Sequence, residues 1–129
     1  MRLLKSLADY LQGVESTVSV RCGADVESYV EELLTPGRAN LRIRVRFANG
    51  RLLEVNEAVA VVAETLCHLD YRYHCQGPDN DLIFRYDNTP HFPELPGFPH
   101  HKHLPGKTVP APRPPIAEVI TEAITGPSR

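Results

Sequence analysis

The sequence has few cysteines, no long apolar run and little proline before residue 90. It has three cysteines, which is an odd number, and no two of them have CxxC spacing. This argues against a secreted disulfide scaffold and fits reduced thiols in a cytoplasm. No window approaches the roughly 18–20 apolar residues of a membrane span. Lys5 and Asp9 interrupt the N-terminal apolar stretch, so we expect a cytoplasmic protein without a signal peptide.

The sequence also lacks the short motifs that mark several large enzyme classes. It has no phosphate-binding glycine loop, no nucleophile elbow and no HExxH, so the chemistries that these motifs carry are not indicated. The formal net charge of −2 excludes a uniformly basic nucleic-acid binder but allows a local basic patch. With 129 residues, 42% of them apolar and 23% charged, the chain is expected to fold as one domain over residues 1–129.

Helical periodicity is confined to the two ends of the chain. Near the N-terminus leucines recur at helical spacing, and Gly13 can end a helix, so we predict a helix over residues 1–14. A second helix is predicted over residues 115–125, with Pro114 or Pro115 suited to its first turn. Residues 26–34 fit a strand or a helix, and Pro36 ends either one.

Residues 41–62 are predicted to form a first β-hairpin. Apolar residues alternate with arginine from Leu41 to Phe47, and Asn49-Gly50 marks the turn. A three-residue loop with Gly50 in a left-handed bulge keeps each face uniform and pairs Phe47 with Leu53. The return strand is predicted from Leu52 to about Val62.

Residues 71–88 are predicted to form a second hairpin with a charged face. Pairing Tyr73 with Phe84 keeps the apolar residues together. The opposite face then carries six polar side chains: His68, Asp70, Arg72, His74, Arg85 and Asp87. In this register Arg72 lies opposite Arg85. Two like charges in that position are destabilising unless an anion lies between or beside them.

Proline changes the character of the chain after Asn88. Ten of the 12 prolines lie between Pro90 and Pro127. Because proline cannot donate to a β-ladder, residues 89–114 are predicted to form a strap and linker without strand or helix. The complete pattern predicts an α+β fold. Its antiparallel sheet has four to five strands, with both terminal helices on one face and the Pro/His-rich strap at the edge.

An arginine-rich face is the first candidate binding surface. No acidic residue interrupts residues 38–53, and alternation places three arginines on one side of a strand: Arg42, Arg44 and Arg46. The planar fork of arginine matches phosphate oxygens, so this face is a candidate contact for the RNA backbone. The alternative is a solvated face paired with Glu54 and Glu57.

Histidines form the second candidate site, since five of the six lie between His74 and His103. In an extended segment His101 and His103 point the same way, which suits zinc chelation completed by His74, His91 or Asp87. The same imidazoles suit acid–base catalysis, because they titrate near neutral pH. A structural alternative has some of them bracing the strap against the sheet.

The strand end Arg85 to Asn88, followed by an irregular loop, is the third candidate site. The alternative is that Asp87 and Asn88 simply form a turn before Pro90. A turn accounts for Asp87 and Asn88, but it accounts for neither the opposed arginine pair nor the nearby histidine.

Several of these segments occur together in one known family. They are residues 71–74, 82–88, 90–91, 93–94 and 98–103, within a stretch of roughly 41–103. In this stretch the sequence resembles the TumE-like family of small prokaryotic toxins. The one departure is Phe92, where a second histidine after His91 is expected. The resemblance implies an antitoxin partner, typically a helix-turn-helix DNA-binding protein, and a target in RNA or translation.

The sequence is compatible with three functions. The leading hypothesis is a toxin that acts on RNA or translation, and more specifically an endoribonuclease that needs neither a metal ion nor another cofactor. It assigns catalysis to His74, Arg85, Asp87, His91, His100 and His101. It assigns RNA binding to Arg42, Arg44, Arg46, Arg72, Lys102 and His103. The alternatives are a non-catalytic module that binds RNA or a partner and, with less support, a zinc protein.

Overall fold

Seven strands of the described chain form one antiparallel sheet in which they lie in sequence order. The computed structural model describes residues 1–20 and 24–127. The elements in chain order are α1 (Lys5–Ser19), β1 (Ala24–Thr35), β2 (Arg38–Phe47), β3 (Leu52–Val62), β4 (Thr65–Gln76), β5 (Leu82–Asp87), β6 (His101–Leu104), β7 (Lys107–Pro110) and α2 (Ile116–Thr125). Within these residues, neither helix combines the length and apolar character needed to cross a bilayer.

Both helices pack on the same face of the sheet. Leu7 and Leu11 of α1 join Val119 and Ile120 of α2 in one core cluster with the apolar side chains of the central strands. In β2 these are Leu41, Ile43 and Val45, which alternate with the arginines. Removal of this surface from water is the main favourable term in folding. The arginines are therefore left on the opposite face, as the alternation predicts.

The sheet has seven strands rather than the four to five predicted. The ambiguous residues 26–34 belong to strand β1. In addition, β6 and β7 lie inside residues 89–114, for which no strand was predicted. The prolines there fall where a ladder tolerates them: Pro105 in the turn between β6 and β7, and Pro110 at the end of the edge strand.

Helix α1 continues past Gly13 to Ser19, so Gly13 does not end the helix as predicted. Val14 and Val18 are buried on the same stripe as the leucines that precede them. Their burial outweighs the roughly 1 kcal/mol that glycine costs in a helix interior. Helix α2 begins at Ile116, directly after Pro115 and within the predicted range.

The β2–β3 turn has the predicted form but not the predicted register. The Gly50 N–H donates to the Phe47 carbonyl over 2.9 Å, and Gly50 is left-handed with φ 86°. The loop consists of residues 48–50, so Leu53 pairs with Val45 rather than with Phe47. The difference is two residues, and every side chain keeps its predicted face because side chains alternate with period two.

The β4–β5 register also differs by two residues from the prediction. Tyr73 lies opposite Tyr86 instead of Phe84, and the register shifts after Cys75 on the way into the turn. Arg72 therefore lies opposite Asp87, and the predicted Arg72–Arg85 pair does not form. The faces are again preserved, but the neighbours of each charged group have changed.

Candidate functional site

Two cross-strand rows of polar side chains cover the face of the sheet opposite the helices. The first row contains Arg42, Asn56, Arg72, Asp87 and His101. The second row contains Arg44, Glu54, His74, Arg85 and His103. Directly paired residues of neighbouring strands point to the same face, so each row is a line of adjacent side chains. We call this surface the polar face; it holds most of the residues predicted to act in catalysis or RNA binding.

Asp87, His101 and His103 form the most buried part of the polar face, with Asp87 5% and His101 1% exposed. His101 Nε2 lies 2.9 Å from Asp87 Oδ1 and 3.0 Å from His103 Nε2. His103 Nε2 lies 3.4 Å from Asp87 Oδ2. Burial lowers the pKa of His103, and this outweighs the Asp87 carboxylate, which raises it. Three ligand atoms of the kinds that bind metal ions thus face one another.

A pocket of about 170 Å³ lies beside this cluster and is lined by Glu54, Arg72, His74 and Arg85. The Nε2 atom of His74 lies 3.0 Å from the Gln76 side-chain oxygen and donates to it. His74 Nδ1 then accepts from Arg85 Nε over 3.1 Å. Burial lowers the pKa of His74, and the nearby Arg85 charge lowers it further. The imidazole is therefore neutral at pH 7 and can accept a proton.

The arginines of the polar face differ in their partners. Glu27 accepts from Arg44 Nε over 2.9 Å and from Arg46 Nε over 3.0 Å. Within the described part of the chain, Arg42 and Arg72 form no ion pair. Both are exposed, so their guanidinium groups can contact an anion from solution.

Most of the chain matches a known protein family. The family described as Toxin TumE matches residues 19–126, a span that contains the whole sheet and both rows of the polar face. The chain belongs to the TumE toxin family. The resemblance inferred from the sequence is thereby confirmed. Searches of curated proteins and of solved structures give no match. Membership in the TumE family makes the protein the toxin component of a toxin–antitoxin system, with a cognate antitoxin as its partner.

Asp87 and Asn88, at the end of the TumE-like segment 82–88, form the hydrogen bonds that position the chain after β5. The Asp87 carboxylate accepts from the Thr89 N–H over 3.0 Å, and the Asn88 side chain accepts from the Tyr71 N–H over 3.1 Å. Phe92 then turns back over the polar face, with its ring centroid 5.2 Å from that of His101 and 6.0 Å from that of His103. The residue that departs from the TumE-like pattern therefore covers the two imidazoles.

Three predicted site residues lie elsewhere. His100 is on the helix side of the sheet, where its Nδ1 lies 2.8 Å from the Tyr71 hydroxyl. Lys102 is on that side too, with Nζ 2.6 Å from Glu122 Oε2. Both alternate with His101 and His103 along extended chain, which sends them to the other face. His91 is exposed, and in the described part of the chain its imidazole contacts the Phe92 ring.

A buried polar cluster on the helix side was not predicted. Glu57, expected as a surface partner of the arginines, is 3% exposed there. It accepts from the Tyr10 hydroxyl over 2.5 Å and from the Tyr73 hydroxyl, to which Arg113 also donates over 3.2 Å. The sequence does contain a signal for this burial, because alternation along β3 places Glu57 on the apolar side.

His68 belongs to this second cluster rather than to the polar face. A register shift pairs Ala58 with Asp70 but Val59 with His68, which reverses the side on which His68 lies. Its Nε2 is 3.2 Å from Glu57 Oε2. Burial acts to raise the pKa of Glu57, but hydrogen bonds from His68 and the two tyrosines outweigh it and leave the pKa lowered.

Proposed function

We propose that this TumE-family toxin cleaves RNA on its polar face. The observation that best supports the proposal is the proximity of a neutral histidine, two arginines and the Asp87–His101–His103 cluster on adjacent strands. A neutral imidazole accepts a proton, and arginine binds phosphate oxygens. The groups that phosphodiester transfer requires therefore lie within one small area.

In the proposed reaction, the 2′-oxygen of a ribose attacks the adjacent phosphorus. His74 Nδ1 takes the 2′ proton once Arg85 turns from His74 to the phosphate. Arg72 and Arg85 stabilise the charge that develops on the phosphorane. The bond from phosphorus to the 5′-oxygen then breaks. That oxygen takes a proton from a water molecule, and the proton held by His74 neutralises the hydroxide that is left. The products are a 2′,3′-cyclic phosphate and a 5′-hydroxyl end.

Binding of the RNA is assigned to the first row of the polar face. Arg42 and Arg72 lie on either side of Asn56 in that row, and neither forms an ion pair with a carboxylate of the described chain. The proposal also includes an antitoxin of the helix-turn-helix DNA-binding type and action in the cytoplasm, where translation takes place.

Replacement of Arg85 tests the proposal. Arg85→Ala is expected to abolish growth arrest and to lower RNA cleavage by purified protein about 100-fold or more, because a phosphate-stabilising donor is lost. End-group analysis of the fragments checks for the 2′,3′-cyclic phosphate. Lys5→Ala is the control, since Lys5 is on α1 with its side chain 89% exposed and should leave cleavage unchanged. Full activity in Arg85→Ala would contradict the proposal.

The alternative is a non-catalytic module that binds RNA or the antitoxin through the same face. Binding through phosphates weakens steeply with salt, whereas a protein–protein contact depends less on it. Wild-type protein that binds RNA at low salt but leaves it intact would favour this alternative and end the ribonuclease proposal.

A further inference from the structure

We infer that Asp87, His101 and His103 bind one divalent transition-metal ion of the zinc type. The site uses two imidazole nitrogens and one carboxylate, all on adjacent strands of the polar face. The leading expectation from the sequence was a metal-independent ribonuclease, with a zinc protein as the least supported alternative. The inference rests on the proposed function for the role of the ion, but not for its binding.

The orientation of the His101 ring provides the first argument. Its Nδ1 lies 2.8 Å from the carbonyl oxygen of Pro99, and a carbonyl only accepts, so Nδ1 is the donor nitrogen. Nε2 is then the ring nitrogen available to a metal ion, and it lies 2.9 Å from Asp87 Oδ1 and 3.0 Å from His103 Nε2. One ligand atom from each of the three residues therefore lies close to those of the other two.

The spacing of the three ligand groups provides the second argument. Atoms bound at 2.0–2.1 Å to one zinc ion are about 2.9 Å apart at a right angle and about 3.4 Å apart at the tetrahedral angle. His101 Nε2 lies 2.9 Å from Asp87 Oδ1 and 3.0 Å from His103 Nε2, and His103 Nε2 lies 3.4 Å from the other carboxylate oxygen, Asp87 Oδ2. A single ion can therefore contact Asp87, His101 and His103 with little movement of the side chains.

The surroundings have the features of a metal centre beyond its ligands. Metal-binding histidines commonly donate their other ring nitrogen to a backbone carbonyl or a polar side chain, which fixes the ring. His101 does this with Pro99, and His103 Nδ1 lies 3.3 Å from the Thr108 hydroxyl. The Phe92 ring adds an apolar cover. Two imidazoles with one carboxylate favour zinc and similar first-row ions over magnesium or calcium.

The position of the site gives the ion a role in the proposed reaction. Arg85 lies directly opposite His103 across β5 and β6, so a phosphate held by Arg85 is next to the ion. Three protein ligands leave coordination positions open for a phosphate oxygen. A cation there polarises the phosphorus–oxygen bond and stabilises charge on the leaving 5′-oxygen.

Metal titration of the full chain tests the inference. Protein freed of metal by a chelator is titrated with Co²⁺, followed by visible absorbance, and with Zn²⁺, followed by calorimetry. One ion per chain with the spectrum of nitrogen ligation is expected. His103→Gln should bind at least about 100-fold more weakly. Zinc should raise the melting temperature of wild type by several degrees but not that of His103→Gln.

His91→Gln is the matched control, because it removes one histidine that is exposed and outside the cluster; it should bind metal as wild type does. Absence of stoichiometric binding by wild type, or equal binding by His103→Gln, would overturn the inference. If His103→Gln does not fold, the wild-type Co²⁺ spectrum still tests the inference. A spectrum that lacks the bands of nitrogen ligation would also overturn the inference.

The metal inference and the ribonuclease proposal can fail separately. Metal binding is measured without RNA, and cleavage is measured with and without added zinc. Stoichiometric metal binding by a protein that leaves RNA intact would contradict the ribonuclease proposal and support the metal site. Cleavage by a protein that binds no metal would contradict the metal site and support the ribonuclease proposal.

Discussion

Each histidine near residue 100 has a role that depends on which side of β6 it lies. Alternation predicted that His101 and His103 share a face, and the register of β6 agrees. The sequence left the third member open among His74, His91 and Asp87. Asp87 takes that place because β5 and β6 pair across the connection of residues 88–100. Strand pairing over such a connection depends on tertiary packing, which local patterns do not contain.

Glu57 is a residue whose charge should stabilise the fold. Its pKa is lowered by His68 and the two tyrosines in spite of burial. A carboxyl with a lowered pKa adds stability above its unfolded pKa, and this stability is lost as the pH falls through the folded pKa. Glu57→Gln is therefore expected to destabilise the protein by roughly 2–4 kcal/mol at pH 7 and to reduce the loss of stability on acidification.

Urea unfolding at pH 7 and at mildly acidic pH measures this prediction. Glu94→Gln serves as the control, because Glu94 is exposed and should change neither stability nor its pH dependence. Equal loss of stability on acidification in wild type and in Glu57→Gln would contradict the role assigned to the Glu57 charge.

At the scale of elements, the strands and helices follow from apolar periodicity, but their ends and registers do not. The β2–β3 loop was predicted with Gly50 left-handed, and it is. The pairing that follows differs by two residues, because patterns of period two are the same after such a shift. Helix α1 passes Gly13 because buried valines continue its apolar stripe.

Gly13 gives a prediction at this scale. A Cβ atom added to Gly13 meets nothing within 4 Å, and alanine loses less conformational freedom in a helix than glycine does. Gly13→Ala is expected to raise the free energy of unfolding by about 0.5–1 kcal/mol, measured by urea unfolding.

Gly50→Ala is the opposite case and serves as the comparison. Its φ of +86° disfavours a side chain, and a Cβ there would lie 2.7 Å from Pro78 Cγ. This variant should be less stable than wild type. A loss of stability in Gly13→Ala would show that the middle of α1 carries a constraint other than helix propensity.

At the scale of the whole molecule, the sheet divides the protein into two chemical sides. The helices and the Glu57 cluster lie on one side, and the two polar rows lie on the other. The rows cross five strands, so they bring together residues as distant in sequence as Arg42 and His101. This arrangement suits a chain-like ligand that passes over several strands.

The salt dependence of RNA binding tests that arrangement. A single-stranded 2′-O-methyl RNA cannot undergo attack by its 2′-oxygen, so its binding is measured without cleavage. If Arg42 contacts one phosphate, Arg42→Ala should reduce the slope of log K against log salt by about 0.7. Lys5→Ala should leave the slope unchanged. An unchanged slope in Arg42→Ala would exclude Arg42 from the RNA path.

The sequence alone determined the α+β class, the apolar and arginine faces of β2, the shared face of His101 and His103, and the TumE resemblance. These follow from local periodicity and from contiguous motifs. Only the tertiary structure decided that Asp87 joins the two histidines, that Arg72 pairs across from Asp87 and not Arg85, and that Glu57 and His68 are buried together. Those outcomes depend on strand registers and on a bulge. A shift of one or two residues in the pairing of two strands gives each side chain new neighbours, although the sequence pattern is unchanged.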